Sequence, residues 1–275
     1  MVTVSKKPDT NSAIPAARHY HLFGRRYGLL HKAYDDALFG QPVFELVEIN
    51  DKQIAEVGTV NDLAADLSGL SLCTFRAPRH LPMIHFLEDQ GFRYVDDILS
   101  VVCKRQQFTP LKTKARVHID TCVGEPAADL AQSLLDIAGR VHDHSTFVAD
   151  HRIPQDLARQ RNAIRVRSYF QKPGHQVFVA RTWPDAPPAG FFQFQITGTL
   201  ADGVNGAVDP DQQNFVFGPL LYSYACQHVF ETFPAVTRIT CGLGASNTTI
   251  LDVFQKLNFK LTGRETHFRK YTPGP

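Results

Sequence analysis

The sequence lacks a long apolar run, and it lacks an excess of charge of either sign. No stretch of about 18 consecutive apolar residues occurs in its 275 residues, so no transmembrane helix is expected. The formal net charge is +2, which gives no overall field to attract nucleic acid or an anionic membrane. Residues 1–15 hold no apolar segment typical of a secretory signal. These absences predict a soluble cytoplasmic protein without nucleic-acid or membrane partners, in which residues 1–15 form a disordered lead-in.

Closely spaced cysteines and metal-ligand clusters are also missing. The five cysteines are odd in number and widely spaced, and none forms a C-x-x-C pair. Disulfide frameworks and zinc sites require closer or even-numbered groupings. His142 and His144 have no second ligand pair to match them, which is more typical of a polar surface loop. The sequence therefore predicts reduced, mostly buried thiols and no metal.

The composition that is present is that of a globular protein with room for two domains. Hydrophobic residues make up 43% of the chain and charged residues 20%. A polar, proline-containing stretch at residues 105–114 separates two apolar halves. We therefore expect a first domain at residues 16–108 and a second at residues 115–275.

Hydrophobic periodicity predicts alternating strands and helices, and hence an α/β fold. In the first half the predicted strands are residues 44–49, 70–75 and 94–104, and the helices are residues 61–67 (with Asn61 as N-cap) and 80–90. In the second half the predicted strands are residues 115–123, 177–183, 191–197, 236–242 and 259–270, the helices are residues 126–140, 155–170, 219–233 and 248–257, and residues 201–214 form a loop.

The two halves share an internal repeat. Residues 80–104 and 247–271 follow one plan, in which a short helix and a turn lead to an aromatic residue and then to a long strand. Phe92 follows Gly91 in the first copy, and Phe259 follows Asn258 in the second. Similarity at a domain-sized offset indicates duplication of a domain.

The second copy, ASNTTILDVFQKLNFKLTGRETHFRKY at residues 245–271, resembles the closing motif of the GNAT acyltransferase superfamily. Asn247 matches the Asn before the family's last helix, and Asn258-Phe259 matches its Gly-Phe turn. Most of residues 35–271 is similar to tandem-domain members of the dTDP-fucosamine acetyltransferase type, whose first domain is small and degenerate. The resemblance implies two tandem GNAT-like domains, each with a mixed, mostly antiparallel sheet flanked by helices.

The resemblance also implies a donor site. In the family, the fourth and fifth strands splay apart to pair with a pantetheine arm, and a Q/R-x-x-G-x-G/A loop cradles the pyrophosphate. The matching run here is VDPDQQNFVFGPLL, in which Val216 replaces the middle glycine and Pro219 has no N–H to donate. The residues implied to hold the donor are Gln213, Asn214, Phe215, Val216, Phe217, Gly218 and Asn247.

The family's general acid is absent. Relatives carry a Tyr seven residues after the Asn, but this chain has Phe254 there, which has no proton to give. Tyr222, Tyr224 and His228 on the preceding helix are the candidate catalytic residues. Tyr224 and His228 are four residues apart and so share a helical face.

Basic residues precede and follow the start of the helix expected at residues 155–170. In the family this region faces the acceptor, so His151 and Arg152 could bind an acceptor amine or a sugar phosphate. Arg161 and Arg165 lie four apart on one helical face and continue the basic character. A solvated basic surface explains the same residues.

The resemblance implies an N-acyltransferase that moves an acetyl or longer acyl group from acetyl-CoA, or from a carrier-protein thioester, to an amine. A small metabolite or an amino sugar would be the acceptor, and no metal would be needed. An acyl-carrier protein and a second copy of the chain are the macromolecular partners considered. The alternative is a non-catalytic binding module that keeps the scaffold to recognise a metabolite or a protein.

Overall fold

The computed structural model describes residues 17–49, 58–112, 117–140, 145–212 and 217–272. Its strands are β1 Ala17–Leu22, β2 Arg25–His31, β3 Val43–Glu48, β4 Leu72–Pro78, β5 Arg93–Lys104, β6 His118–Val123, β7 His175–Arg181, β8 Gly190–Thr197, β9 Leu200–Val208, β10 Arg238–Gly244 and β11 Lys260–Tyr271. Its α-helices are α1 Ala33–Phe39, α2 Val60–Ser68, α3 Leu81–Asp89, α4 Ala128–Arg140, α5 Gln155–Arg167, α6 Phe217–Thr232 and α7 Thr248–Lys256. The predicted lead-in at residues 1–15 lies outside the described residues.

All of these strands belong to one sheet, in the order β1-β2-β3-β4-β11-β5-β10-β9-β8-β7-β6. The neighbours pair antiparallel except at two places, where β3 pairs parallel to β4 and β9 pairs parallel to β10. One parallel pair thus falls in each half of the chain. The prediction of an α/β fold with mixed, mostly antiparallel sheets is confirmed.

The two halves exchange their last strands. β5, which ends the first half, pairs with β10 and β11 of the second half. In return, β11 lies between β5 and β4 of the first half. Each exchanged strand is 12 residues long, so the junction of the halves is continuous β-sheet. Whether either half forms a separate domain, as the predicted boundaries state, stays a prediction.

The internal repeat has the same geometry in both copies. The turn residue adopts a left-handed conformation in each, with φ of 82° at Gly91 and 63° at Asn258. The residue after the turn then donates a backbone hydrogen bond to the last turn of the helix. The N–H of Phe92 donates to the carbonyl of Leu87, and the N–H of Phe259 donates to the carbonyl of Phe254. This is a glycine-type helix ending, in which asparagine is the usual substitute. The substitution at Asn258 therefore preserves the turn.

Helices cover both faces of the second half's sheet. Phe178 of β7 lies in the core beneath α6 and α7, whereas its neighbours Val177 and Val179 lie in the core beneath α4 and α5. Successive strand residues point to opposite faces, so the two cores lie on opposite sides of the sheet. A third core lies between the first half's strands and α2 and α3.

A buried charge network joins the halves. The ring of Phe147 lies between the guanidinium groups of Arg161 and Arg269, each 3.8 Å from the ring centroid. Arg269 is fully buried and pairs with Asp150 at 3.1 Å, while Arg161 pairs with Asp35 of α1 at 3.1 Å. Each arginine thus has a carboxylate partner, and the ring separates the two positive charges.

Several sequence predictions are wrong. Residues 201–208 form most of β9 instead of a loop, because β9 is held between β8 and β10. The hairpin β1–β2 and helix α1 were not predicted. The N-cap of α2 is Thr59, whose hydroxyl and backbone N–H form a capping box with Asp62, and Asn61 lies inside the helix. In the part of the chain that the structure describes, no helix is long and apolar enough to cross a membrane.

Candidate functional site

The parallel pair β9–β10 separates part-way along its length. Its register runs from Leu200 opposite Arg238 to Gly203 opposite Cys241, and then the pairing ends. β9 continues to Val208 and β10 to Gly244. The edge of β9 beyond Gly203 therefore has backbone groups that β10 does not pair, and an extended ligand could pair with them instead.

A β-bulge lies where the strands separate. In the β8–β9 register Phe194 faces Gly203 and Gln193 faces Asn205, which leaves Val204 as the extra residue. The carbonyl of Val204 accepts a hydrogen bond from Arg165 of α5 at 3.2 Å. Bulges change the direction of backbone groups and are frequent beside active sites. The bulge was not predicted.

Two glycines let neighbouring groups approach β9 closely. A Cβ on Gly203 would lie 2.6 Å from Sγ of Cys241 and 2.7 Å from the ring of Phe192. A Cβ on Gly206 would lie 2.5 Å from the hydroxyl oxygen of Tyr222. Any larger residue at either position would have to displace these groups.

Asp202 precedes Gly203 on β9 and therefore lies beside the point where the strands separate. Thr240, directly opposite on β10, donates a hydrogen bond from its hydroxyl to Oδ1 of Asp202 at 2.9 Å. Burial raises the pKa of Asp202, although the hydrogen bond from Thr240 and the charge of Arg165 oppose the shift. A carboxylate with a raised pKa is a candidate proton acceptor. The sequence analysis missed Asp202 because it placed the residue in a loop.

The predicted donor loop is described only in part, because Gln213, Asn214, Phe215 and Val216 lie outside the described residues. Phe217 begins α6 and its side chain is buried in the core beneath that helix. Gly218 follows, with Val208 at an ordinary contact distance of 3.7 Å from where its Cβ would lie. The donor roles predicted for these six residues stay predictions.

Asn247 caps α7. Its side-chain oxygen accepts a hydrogen bond from the backbone N–H of Ile250 at 3.2 Å, and its own N–H donates to the carbonyl of Gly244. Asn247 therefore fixes the helix start directly after β10. The predicted donor contact would have to come from the other atoms of this residue. Phe254, about two turns further along α7, is buried against Tyr222 and Phe259.

The three candidate catalytic side chains point in two directions. Tyr222 packs against Phe192 at 4.3 Å between ring centroids, and its hydroxyl reaches the β9 backbone near Gly206. Burial raises the pKa of Tyr222 well above its ordinary value, so the hydroxyl stays protonated. Tyr224 and His228 stack on each other and contact Phe178 of β7. β7 is two strands away from β9, so the structure brings only Tyr222 to the separated strands.

The first half repeats the parallel pair without the same features. A cavity of about 390 Å3 adjoins the ends of β3 and β4. Its carboxylates are already paired, in the ion pairs Glu45–Lys32, Glu48–Arg25 and Glu265–Arg76. Ion pairs of this kind are usual on a protein surface, and they leave none of the three carboxylates without a cationic partner. The candidate site is therefore the one in the second half. Among the described residues, no group of three or more metal-ligating side chains could hold a metal ion.

Comparisons with known proteins agree with this architecture. No family model matches the chain, and no curated protein matches it. A conserved protein of unknown function from Staphylococcus epidermidis has a similar structure (TM-score 0.62, 12% identity, 93% of this chain and 94% of that one). A GCN5-related N-acetyltransferase from Kribbella flavida is also similar (TM-score 0.59, 12% identity, 94% of this chain and 91% of that one). A tandem GNAT protein of the clavulanic acid biosynthesis pathway is similar as well (TM-score 0.57, 13% identity, 96% of this chain and 85% of that one).

These likenesses span nearly the whole of both chains, at identities that show the fold alone. The chain has the fold of the GCN5-related N-acetyltransferases in its tandem form, as the sequence resemblance implied. By their order in the second half, β9 and β10 correspond to the fourth and fifth strands, between which the sequence resemblance places a donor cleft.

Proposed function

We propose that the protein is an N-acyltransferase, which moves an acetyl or longer acyl group from a thioester to the amine of a small metabolite or amino sugar. The observation that carries this proposal is the separation of β9 from β10 at Gly203 and Cys241, next to the bulge at Val204. A pantetheine arm can pair along the open edge of β9 there, with its thioester beside the bulge.

The reaction is direct attack of the neutral amine on the thioester carbonyl. The C–N bond forms, a backbone N–H of β9 stabilises the negative charge on the carbonyl oxygen, and the C–S bond then breaks. Asp202 accepts the proton that the amine nitrogen loses, a role that suits a carboxylate of raised pKa. The thiolate leaves with a hydrogen bond from Tyr222 and takes its proton from water. Tyr222 thereby supplies the hydroxyl that Phe254 lacks.

The donor is an acyl-CoA or an acyl group on the phosphopantetheine of a carrier protein. Both present the same arm to β9. Pro219 in the first turn of α6 offers no N–H to a pyrophosphate, and Phe217 is turned into the core. These two features favour donors that rely on the arm more than on the nucleotide.

The test measures binding and turnover of the full chain. Acetyl-CoA, longer acyl-CoAs, acyl-pantetheine and an acylated carrier protein are compared by thermal shift, and thiol release is then followed with a panel of amino sugars and small amines. We expect a rise in Tm with at least one thioester, and amine-dependent thiol release. If no thioester raises Tm at saturating concentration, the proposal is wrong.

A second candidate function is a binding module without turnover. Two observations favour it: Phe254 replaces the hydroxyl of relatives, and the side-chain oxygen of Asn247 is engaged in capping α7. Thioester binding without thiol release from any acceptor would support this function over catalysis. Substitution of Asp202 would then leave the affinity for the thioester unchanged.

A further inference from the structure

A second cavity lies where the two halves meet, apart from β9 and β10. It has a volume of about 490 Å3 and lies at the start of β5, beside the segment that precedes α5. Its lining residues are Glu88, Arg93, Tyr94 and Val95 from the first half and Ala149, Asp150, His151 and Arg152 from the second. None of them lies on β9, β10 or α6, although the sequence resemblance placed His151 and Arg152 near the acceptor, and the cavity needs both halves to exist.

Arg152 is held in place within this cavity. Its Nε and Nη2 donate to the two oxygens of Asp150 at 2.8 Å each, and Nη2 also donates to the carbonyl of Arg269 at 2.9 Å. Nη1 of Arg152 has no hydrogen-bond partner among the described residues. Because Asp150 also pairs with Arg269, two guanidinium groups share one carboxylate and the cluster keeps a net positive charge.

Arg93 adds a second guanidinium. Arg93 is exposed, and no hydrogen bond or ion pair to its guanidinium is present within the described ranges. It lies directly opposite Arg269 in the β5–β11 register. A bulge at Val95 then shifts that register, since Tyr94 faces Phe268 whereas Asp96 faces His267. The bulge changes the direction of the strand at the cavity wall.

The rest of the lining is suited to an organic group. Val95 and Ala149 contribute apolar surface, and Tyr94, which is 55% exposed, contributes an aromatic ring. A bare phosphate ion would fill only a small part of about 490 Å3. Glu88 supplies a carboxylate that can accept a hydrogen bond from a ligand hydroxyl.

We propose that this cavity binds the phosphate monoester of a small organic molecule. The guanidinium of Arg93 and the Nη1 group of Arg152 present N–H donors to the oxygens and the double negative charge of a phosphate. Arg152 is pre-oriented by Asp150, which reduces the entropy lost on binding. The organic group lies against Tyr94, Val95 and Ala149.

The test is calorimetric titration of the full-length protein, at low salt, with phenyl phosphate, inorganic phosphate and benzoate. We expect phenyl phosphate to bind about tenfold more tightly than the other two. Arg93→Gln should weaken both phosphate probes about tenfold, whereas Tyr94→Leu should weaken phenyl phosphate alone. Arg79→Gln is the matched control, because Arg79 is an exposed arginine outside the cavity.

Four results would overturn the proposal. They are no binding of phenyl phosphate, equal affinities in Arg93→Gln and Arg79→Gln, benzoate binding as tightly as phenyl phosphate, or loss of phenyl phosphate binding when an acyl-CoA saturates the donor cleft. The third result would assign the cavity to a carboxylate. The fourth would place the phosphate in the donor cleft. Thioester binding is measured separately, so acyl transfer can stand or fall on its own.

Discussion

Gly203 and Cys241 are the last pair of residues in the parallel register of β9 and β10, and a Cβ on Gly203 would lie 2.6 Å from Sγ of Cys241. The thiol of Cys241 thus occupies the space that a side chain at position 203 would need. Burial raises the pKa of Cys241 well above its ordinary value, so this thiol is a neutral packing group. The point where the strands separate is therefore bounded by a tightly packed pair.

Gly203→Ala should destabilise the protein by about 1–3 kcal/mol, because the added methyl must displace Cys241 or Phe192. Urea unfolding measures the change. Gly218→Ala is the matched control, since its Cβ would meet Val208 at an ordinary distance of 3.7 Å. Equal losses of stability in the two variants would contradict the packing argument.

Asp202→Asn should lower kcat about 100-fold if Asp202 accepts the amine proton. The same change should stabilise the folded protein at neutral pH. Burial raises the pKa of Asp202, so the folded state favours the protonated carboxyl. The stability that this protonated carboxyl contributes is lost as the pH rises through the pKa of Asp202 in the folded state. Asparagine is neutral at all pH values and can still accept from Thr240. Unfolding at pH 3 and pH 7 checks the sign: the variant's gain should be present only at pH 7.

Tyr222→Phe should lower kcat more than it changes KM, because its hydroxyl is proposed to contact the leaving thiolate. Tyr224→Phe is the natural comparison, since Tyr224 lies on the same helix but packs toward β7. Steady-state kinetics with one donor and one amine measures both. A larger loss for Tyr224→Phe would return the catalytic role to Tyr224 and His228.

Asp150→Asn should destabilise the protein by about 3–5 kcal/mol, because it leaves the guanidinium of Arg269 buried without its counter-charge. The double variant Asp150→Asn/Arg269→Met should recover part of the loss. Urea unfolding of the two variants measures both effects, and an equal or greater loss in the double variant would contradict them.

The same pair predicts a pH dependence. Burial alone would raise the pKa of Asp150, but hydrogen bonds from Arg152 and the charge of Arg269 lower it overall. The carboxylate therefore contributes stability above its unfolded pKa, and that contribution is lost as pH falls through the folded value. The stability difference between the parent protein and Asp150→Asn should shrink in acid.

Residues 115–275 expressed alone should fail to form a stable fold. Without the first half, β11 loses both of its neighbours and β10 loses β5. Circular dichroism and thermal unfolding measure this, with the full chain as the control. Cooperative unfolding of the isolated half near the Tm of the full chain would establish an independent second domain. Co-expression with residues 16–108 should restore the fold.

The regular elements of the second half were predictable because their signals are local. Alternation marked β6, a proline in the first turn marked α4, and the proline-rich turn PDAPPAG marked β7 and β8 as a pair of strands. The repeat of α3–β5 in α7–β11 was also visible, including Asn258 in place of Gly91. Each of these signals depends on residues close together in the chain.

Strand β9 was missed because its sequence, LADGVNGAV, is rich in residues that are depleted in strands. Pairing with β8 and β10 outweighs those local preferences. Its glycines have a different reason: Gly203 and Gly206 leave space for Cys241 and Tyr222. No local pattern could identify these neighbours, because they come from β10 and α6. Asp202 was missed as a candidate base for the same reason.

By itself, the sequence determined the α/β class, the division into two halves, the repeated ending of each half and the resemblance to GNAT proteins. These follow from periodicity, turn residues and motifs, which act over a few residues. Only the tertiary structure decided that the last strands are exchanged, that β9 and β10 separate at Gly203 and Cys241, and that Tyr222 is the candidate hydroxyl beside them. Each of these depends on pairing or packing between residues far apart in the chain, where hydrogen bonds between strands and the exclusion of water from the core outweigh local preference.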